Sequence, residues 1–184
     1  MARTVDPPAT IPPIDELDAL PAADFATAVA PLFEGAPRFL ARLAAARPFG
    51  SDERLVERAR EVAQAMPEDE QVELIDAHPR LGAPPGSVSA HSFVEQGYDR
   101  DAADSAAEVE RQRVAAELAR LNAAYEARFG FRYCVFVAGR PRAALLEGME
   151  QALDADRGAE LRRAVEDVVA IAADRLARLR EERS

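Results

Sequence analysis

The chain has 184 residues, of which 48% are hydrophobic and 30% are charged, and its formal net charge is −10. This size and composition predict one globular domain. The acidic balance excludes nucleic acid as the main partner and disfavours adsorption to anionic membranes, because both need concentrated positive charge. The single cysteine, Cys134, excludes an intramolecular disulfide and a cysteine-rich zinc site. No apolar run approaches the roughly 18 residues of a membrane span and no signal core is present, so we expect a cytoplasmic protein.

The first 13 residues contain four prolines and few periodic apolar residues. This predicts a flexible leader at 1–13 and a single helical domain at 14–184. Apolar residues recur at helical spacing through most of that domain, and prolines or capping residues mark several helix starts. We predict helices at 24–33, 37–46, 51–66, 67–77, 89–96, 104–128, 141–153 and 157–180.

Two segments interrupt the helical pattern. Residues 78–88 contain three prolines and two glycines, which predicts a loop. Residues 129–137 have the composition of a strand but no partner strand elsewhere, so we expect extended chain or a helix start buried in the core. The predicted fold class is all-α: a single-domain bundle of about seven to nine helices with one extended segment near 129–137.

His78 lies where the predicted helix 67–77 meets the loop, and Pro79 follows it. An imidazole titrates near neutral pH, which suits a general acid or base. The neighbouring proline restricts the backbone that orients the ring. The same position also fits a helix-end histidine that caps a terminal carbonyl, and the local sequence leaves both interpretations open.

A second polar cluster contains Ser92, Glu95 and Gln96. The spacing places Ser92 and Glu95 on one helix face, where they could bind a flat ligand rich in N–H and C=O groups. The same spacing is that of a capping box with Ser92 as the N-cap. A zinc site formed by His78, His91 and Glu95 is conceivable, but nothing in the sequence supports the ligands, and we predict no metal.

Arg175 interrupts the apolar face of the last predicted helix, between Ala172 and Leu179. A guanidinium that faces a core is costly unless it meets an anion or a hydrogen-bond network. Arg175 is therefore expected to bind a buried anion, to pair with a structural carboxylate, or to reach the edge of the core. By contrast, Cys134 lies in an apolar run and is expected to be an inert core residue.

The order of these residues resembles the OHCU decarboxylase family, which acts on 2-oxo-4-hydroxy-4-carboxy-5-ureidoimidazoline (OHCU) in urate breakdown. The resemblance covers about residues 14–179. It is carried by Leu32-Phe33-Glu34, Arg47-Pro48-Phe49, Ala77-His78-Pro79, Ser92-x-x-Glu95-Gln96, Phe129-Gly130-Phe131, Gly139-Arg140 and Ile171-x-x-x-Arg175-Leu176. The chain departs from the family pattern at Arg132-Tyr133-Cys134 and after Gln96, which affects the expected pocket wall.

The resemblance implies catalytic roles for His78, Glu95 and Arg175. It implies substrate contacts for Pro79, Ser92, Glu95, Gln96, Arg132, Tyr133, Cys134, Val135, Phe136 and Arg175. It also implies a homodimer that decarboxylates OHCU to (S)-allantoin without a cofactor. The sequence contains no nucleotide-binding or other cofactor motif.

In this hypothesis Arg175 holds an anionic or carbonyl part of the substrate. Glu95, with Ser92 and Gln96, binds its hydroxyl, ureido or ring N–H groups. His78 transfers a proton to one face of a planar intermediate. Two alternatives remain open. One is a non-catalytic helical relative that binds a purine catabolite or a protein partner, and the other is decarboxylation or another proton-transfer reaction on a related purine catabolite. A pocket filled by the side chain of residue 132 or 133 would favour the first alternative.

Overall fold

The computed structural model describes residues 11–98 and 105–182, which form nine α-helices and no β-strand. The helices are α1 (Ile14–Ala19), α2 (Ala22–Val29), α3 (Pro37–Ala45), α4 (Asp52–Ala65), α5 (Glu68–Asp76), α6 (Ala90–Glu95), α7 (Ser105–Phe129), α8 (Leu146–Ala152) and α9 (Arg157–Glu181). The prediction of an all-α fold is confirmed. None of these helices combines the length and the apolar character that a bilayer crossing needs.

Helix α9 lies at the centre of the fold, where it packs against α4 and α5. Its buried residues recur every three or four positions, so one continuous stripe faces the core. The helix begins where the Asp156 carboxylate accepts a hydrogen bond from the backbone N–H of Ala159, at 2.9 Å. Because α9 is central, any polar residue within its buried stripe lies inside the protein.

The predicted helix 24–33 is divided into α2 and a 3₁₀ turn at Ala30–Leu32. Pro31 lies in this turn. Proline has no backbone N–H and its ring clashes with the preceding helical turn, so the α-helix ends there. The chain then passes through Glu34 and Gly35, whose φ angles are +53° and +85°. This turn directs Glu34 towards α6 and α9.

The chain before α1 packs against the end of α9. Ile11 is fully buried, and Arg180 donates from Nη1 to the Ile11 carbonyl at 2.7 Å and from Nη2 to the Pro12 carbonyl at 2.9 Å. Residues 11–13 were predicted as part of the flexible leader, but Ile11 supplies apolar surface to the core. Residues 1–10 of that leader lie outside the described residues.

The non-helical segment at 132–137 agrees with the predicted break near 129–137. An aromatic cluster fixes its start: the ring of Tyr125 lies 4.5 Å from that of Phe129, 5.7 Å from Phe131 and 5.0 Å from Tyr133, centroid to centroid. The Tyr125 hydroxyl donates to Glu160 on α9, at 2.7 Å. These contacts attach the segment to α7 and α9, so it needs no partner strand.

Candidate active site

A cavity of about 320 Å³ lies between the end of α5, α6, the non-helical segment and α9. Its volume is near the lower end of the range of about 300–1,000 Å³ for small-molecule sites. Several residues predicted from separate parts of the sequence line it together: His78, Pro79, Ser92, Glu95, Gln96, Tyr133, Cys134, Val135 and Phe136. The cavity is therefore the candidate active site.

His78 follows the last turn of α5 and is almost fully buried, with 4% of its surface exposed. Its Nδ1 lies 3.3 Å from the carbonyl oxygen of Leu74, which can only accept, so Nδ1 carries the hydrogen of the neutral ring. Nε2 is buried and has no hydrogen-bond partner among the described residues. Burial, followed by the positive charge of Arg175, lowers the pKa of His78 to about 4. At neutral pH the ring is therefore uncharged and Nε2 is a free proton acceptor.

Arg132 braces the end of α5 and does not line the cavity. Its backbone N–H donates to Asp76 Oδ1 at 2.8 Å, and its Nη1 donates to the carbonyls of Asp76 at 2.6 Å and His78 at 3.0 Å. Carbonyls at a helix C-terminus lack intrahelical donors and carry partial negative charge, so they attract a guanidinium. This geometry does not support the predicted contact between the Arg132 side chain and the substrate, because the side chain holds the backbone of His78.

Arg175 projects from α9 into the core and is 1% exposed. Its Nε and Nη2 donate to the two carboxylate oxygens of Glu95, at 2.6 and 2.8 Å. Nη2 also donates to Glu34 at 2.8 Å and to Ser92 Oγ at 3.2 Å, while Nη1 donates to the Pro31 carbonyl at 2.8 Å. The expected buried arginine thus meets two carboxylates. Because protein acceptors occupy its guanidinium and it does not line the cavity, this geometry does not support the predicted direct contact with substrate.

Glu34 is a central residue of the site that sequence reasoning missed. Its Oε1 accepts hydrogen bonds from Ser89 Oγ, Ser92 Oγ and Arg175 Nη2, each at 2.8 Å. Burial alone would raise the pKa of Glu34, but the Arg175 charge and the two serine hydroxyls outweigh it, so the pKa is lowered. Its φ of +53° costs energy for a residue other than glycine, and such strain often occurs at functional sites. The only sequence signal for Glu34 was the Leu32-Phe33-Glu34 motif of the family resemblance, to which no functional role was assigned.

Helix α6 begins earlier than the predicted capping box requires. Its N-cap is Ser89, whose Oγ accepts from the backbone N–H of Ser92 at 3.1 Å. The alternative interpretation of Ser92 as the N-cap is therefore excluded, and the predicted helix start at Ser89 is confirmed. The Ser92 hydroxyl donates to Glu34 instead. Gln96 is held by the loop that precedes α6, because its Oε1 accepts from the backbone N–H of Gly82 at 2.7 Å. The polar cluster is thus fixed before any ligand binds.

The opposite wall is the non-helical segment, as predicted for residues 133–136. Arg163 of α9 holds it by donating from Nη1 to the Cys134 carbonyl at 3.0 Å, and Arg163 itself pairs with Glu160 at 2.6 Å and Asp167 at 2.5 Å. Burial raises the pKa of the Cys134 thiol to about 12. The thiol therefore stays protonated near neutral pH and is a poor nucleophile. Cys134 contributes to the cavity wall.

Two charged residues of α9, Asp174 and Arg178, also line the cavity and were not predicted. They form an i,i+4 ion pair in which Arg178 Nη2 lies 2.9 Å from Asp174 Oδ2. The same Nη2 donates to Glu95 Oε1 at 3.0 Å. In the sequence, such a pair is typical of a solvent-exposed helix face. Their place in the site becomes visible only when α6 packs against α9.

The two histidines occupy different environments. His91 lies on α6, is partly buried and does not line the cavity with His78. Burial lowers its pKa as well. Within residues 11–98 and 105–182, no group of three or more His, Cys, Asp or Glu side chains is arranged to hold a metal ion.

We expect Gly82→Ala to lower the free energy of unfolding by about 1–3 kcal/mol, because Gly82 combines a positive φ with a close contact. Its φ is +78°, and an added Cβ would lie 2.8 Å from Cδ1 of the buried Leu118. Gly86 is the matched control, since nothing lies within 4 Å of its Cβ position. Urea unfolding measures both variants. Equal midpoints for G82A and G86A would contradict this account of the loop.

Fold and site together define a class: an all-helical protein whose small cavity is lined by a neutral histidine and by polar groups that a buried arginine organises. Such an arrangement suits proton transfer on a small polar ligand. A family profile described as OHCU decarboxylase matches residues 18–177, and the chain belongs to this family. Membership of the family assigns it a carboxy-lyase activity.

The chain is similar to proteins named for OHCU decarboxylation or uric acid degradation. It is 27% identical to the 2-oxo-4-hydroxy-4-carboxy-5-ureidoimidazoline decarboxylase of Haloferax volcanii, over 89% of this chain and 94% of that protein. It is 28% identical to the uric acid degradation bifunctional protein of Bacillus subtilis, over 89% of this chain and 32% of that protein.

Two solved structures share the fold. An OHCU decarboxylase determined in the presence of (S)-allantoin superimposes with a TM-score of 0.62 and 21% identity, over 79% of this chain and 92% of that chain. An (S)-allantoin synthase superimposes with a TM-score of 0.63 and 20% identity, over 91% of this chain and 53% of that chain. At these identities the similarity concerns the fold.

Proposed function

We propose that this protein converts OHCU to (S)-allantoin and carbon dioxide in urate degradation, without a cofactor, and that His78 transfers the proton that sets the configuration. The observation that carries the proposal is the uncharged, buried His78, which lines a small cavity beside Glu95 and whose Nε2 has no partner among the described residues. Membership of the OHCU decarboxylase family supplies the substrate class.

The substrate supplies its own electron sink. The ring carbon that carries the carboxylate also carries a hydroxyl, and it adjoins the carbon of a ring C=N bond. When the bond to the carboxylate breaks, its electron pair forms a C=C bond and the C=N pair moves to nitrogen, which takes a proton from water. The hydroxyl then becomes the ring carbonyl by losing its proton, and the ureido-bearing carbon gains one. The reaction consumes one proton and transfers no electrons to another molecule, so it requires no cofactor.

His78 acts first as a general base and then as a general acid, and it transfers the same proton in both steps. Nε2 first accepts the hydroxyl proton and then delivers it to the ureido-bearing carbon. The pKa of about 4 means that the buried protonated ring readily releases the proton again. Nδ1 stays against the Leu74 carbonyl throughout, which keeps the ring in one orientation. Delivery from one side of a planar intermediate produces a single enantiomer.

The polar residues of α6 bind the hydrogen-bonding groups of the substrate. Glu95 is fixed by two arginines, yet a carboxylate offers about four lone-pair positions, so it can still accept from ureido or ring N–H groups. Ser92 and Gln96 lie beside it and are already held by protein partners. Arg175 contributes by positioning Glu95 and Ser92. Such preorganisation reduces the reorganisation that the reaction requires.

A cavity filled by the side chain of residue 132 or 133 would favour the non-catalytic alternative. Arg132 instead contacts the carbonyls at the end of α5, and Tyr133 packs against Tyr125 with ring centroids 5.0 Å apart. About 320 Å³ of the cavity stays open. These contacts favour the catalytic proposal.

The proposal is tested with OHCU generated in situ by oxidation of urate. Spontaneous decay protonates the planar intermediate from either face and gives racemic allantoin. The protein should give an excess of the (S)-enantiomer, which circular dichroism detects. A racemic product, formed at the rate seen in buffer alone, would contradict the proposed function.

We also propose a cytoplasmic homodimer whose helical domain spans residues 14–184. The family resemblance supports the dimer and the compartment. Light scattering of the purified protein tests the dimer, cell fractionation tests the compartment, and limited proteolysis tests the domain boundary.

A further inference from the structure

Arg178 is the one permanently cationic side chain among the described residues that line the cavity. His78 is uncharged at neutral pH, because its pKa is lowered to about 4. Arg175 is occupied by protein acceptors and does not line the cavity. Within the described part of the wall, an anionic ligand can therefore form an ion pair with Arg178 alone.

Arg178 also has donors available for a ligand. Its Nη2 is engaged by Glu95 at 3.0 Å and by Asp174 at 2.9 Å. Its Nη1 makes no hydrogen bond with the described residues, and its Nε is buried without a partner among them. Since a guanidinium carries five N–H donors, those on Nε and Nη1 remain unused. Because Nε is shielded from solvent, Nη1 is the group left to contact a ligand.

The charges around the cavity are such that an anionic ligand needs direct contact with a cation. The cluster contains the carboxylates of Glu34, Glu95 and Asp174 against the guanidinium groups of Arg175 and Arg178. Negative charge is therefore in excess, and a carboxylate entering the cavity is repelled unless a cation contacts it directly. The arginine on the cavity wall is placed to provide that contact.

We propose that Arg178 binds the carboxylate of the substrate and thereby selects ureido compounds that carry a carboxylate over those that lack one. This assignment rests on the proposed OHCU decarboxylase function. Glu95 and Asp174 hold the guanidinium from Nη2, and Nη1 meets the substrate. Once the carboxylate has left as neutral carbon dioxide, the ion pair no longer exists, which favours release of allantoin.

Two stable probes separate recognition of charge from recognition of shape: allantoate, which carries two ureido groups and a carboxylate, and uncharged (S)-allantoin. We expect R178Q to weaken allantoate binding about 10- to 100-fold, the size of a hydrogen bond to a charged group, and to leave allantoin binding unchanged. The KM for OHCU should rise by a similar factor. R178K keeps the positive charge but loses the planar guanidinium, so its affinity for allantoate should lie between those of the wild type and R178Q. Calorimetric titration measures both probes.

Arg162 is the matched control, because it is exposed on the same helix and does not line the cavity. R162Q should bind both probes as the wild type does. The assignment would be overturned if R178Q lost affinity for both probes equally or kept its affinity for allantoate. It would also be overturned if the wild type did not bind allantoate. Failure of the proposed function has a different signature, which is a racemic product from the wild type.

Discussion

The variant His78→Asn should fold normally and lose about 10²- to 10⁴-fold in kcat, the usual contribution of a positioned acid or base. An asparagine amide can still donate to the Leu74 carbonyl, as Nδ1 does at 3.3 Å in the wild type. It lacks the second ring nitrogen, however, and Nε2 is the atom without a partner among the described residues. The initial rate of (S)-allantoin formation, followed by circular dichroism, measures the effect. KM should change little, because an uncharged ring contributes little to binding.

His91 provides the control, because it is the only other histidine of the chain and does not line the cavity. H91N should keep a kcat close to that of the wild type. Urea unfolding of H78N and H91N distinguishes loss of chemistry from loss of fold. If H78N retained its rate and still produced an excess of the (S)-enantiomer, His78 would have no part in the proton transfer.

We expect Arg175→Met to lower the free energy of unfolding by about 3–5 kcal/mol, the cost of breaking a buried ion pair on one side. Methionine keeps an unbranched apolar side chain but lacks all the N–H donors of the Arg175 guanidinium. The side chains of Glu34 and Glu95 are only 15% exposed. Without Arg175, Glu34 would remain largely buried with no ionic partner among the described residues, and Glu95 would keep only Arg178. Since small domains are stable by about 5–15 kcal/mol, this loss would be visible as a large shift of the urea midpoint.

Arg38 offers the matched comparison, because its ion pairs with Asp69 and Glu73 lie at the surface. Exposed pairs contribute little, so R38M should unfold close to the wild type. The double variant R175M/E34Q should be more stable than R175M, because it removes one uncompensated carboxylate. Equal midpoints for R175M and R38M would show that the buried cluster does not stabilise the fold.

Much of the fold could be predicted because the decisive signals are local. Ser51 was predicted to begin a helix, and its Oγ accepts from the backbone N–H of Arg54 at 3.2 Å. The apolar stripe of α9 was predicted from its spacing and is buried. The predicted helix 24–33 is the exception, because it ends before Pro31. The apolar pattern continues across Pro31, but the proline has no backbone N–H to continue the helix.

The candidate site was predicted less completely. Arg175 was identified because it lies within a buried stripe of its own helix, which is a local pattern. For His78 the capping interpretation describes Nδ1, which contacts a helix-end carbonyl, and the proposed catalytic role concerns Nε2, which has no partner among the described residues. The alternative of Ser92 as a cap is excluded because Ser89 offers the same capping chemistry three residues earlier. Only Glu34, brought in by a distant turn, gives the Ser92 hydroxyl another partner.

By itself, the sequence determined an all-helical chain with a histidine at the end of one helix, a polar face on another and an arginine inside a third. These properties depend on residues within one or two helical turns of each other. The tertiary structure decided which of these groups face the cavity and which face the protein. Arg175 is occupied by Glu34 across 141 positions of the chain, and Arg132 turns towards α5. Such contacts depend on how α5, α6 and α9 pack, which no local pattern encodes.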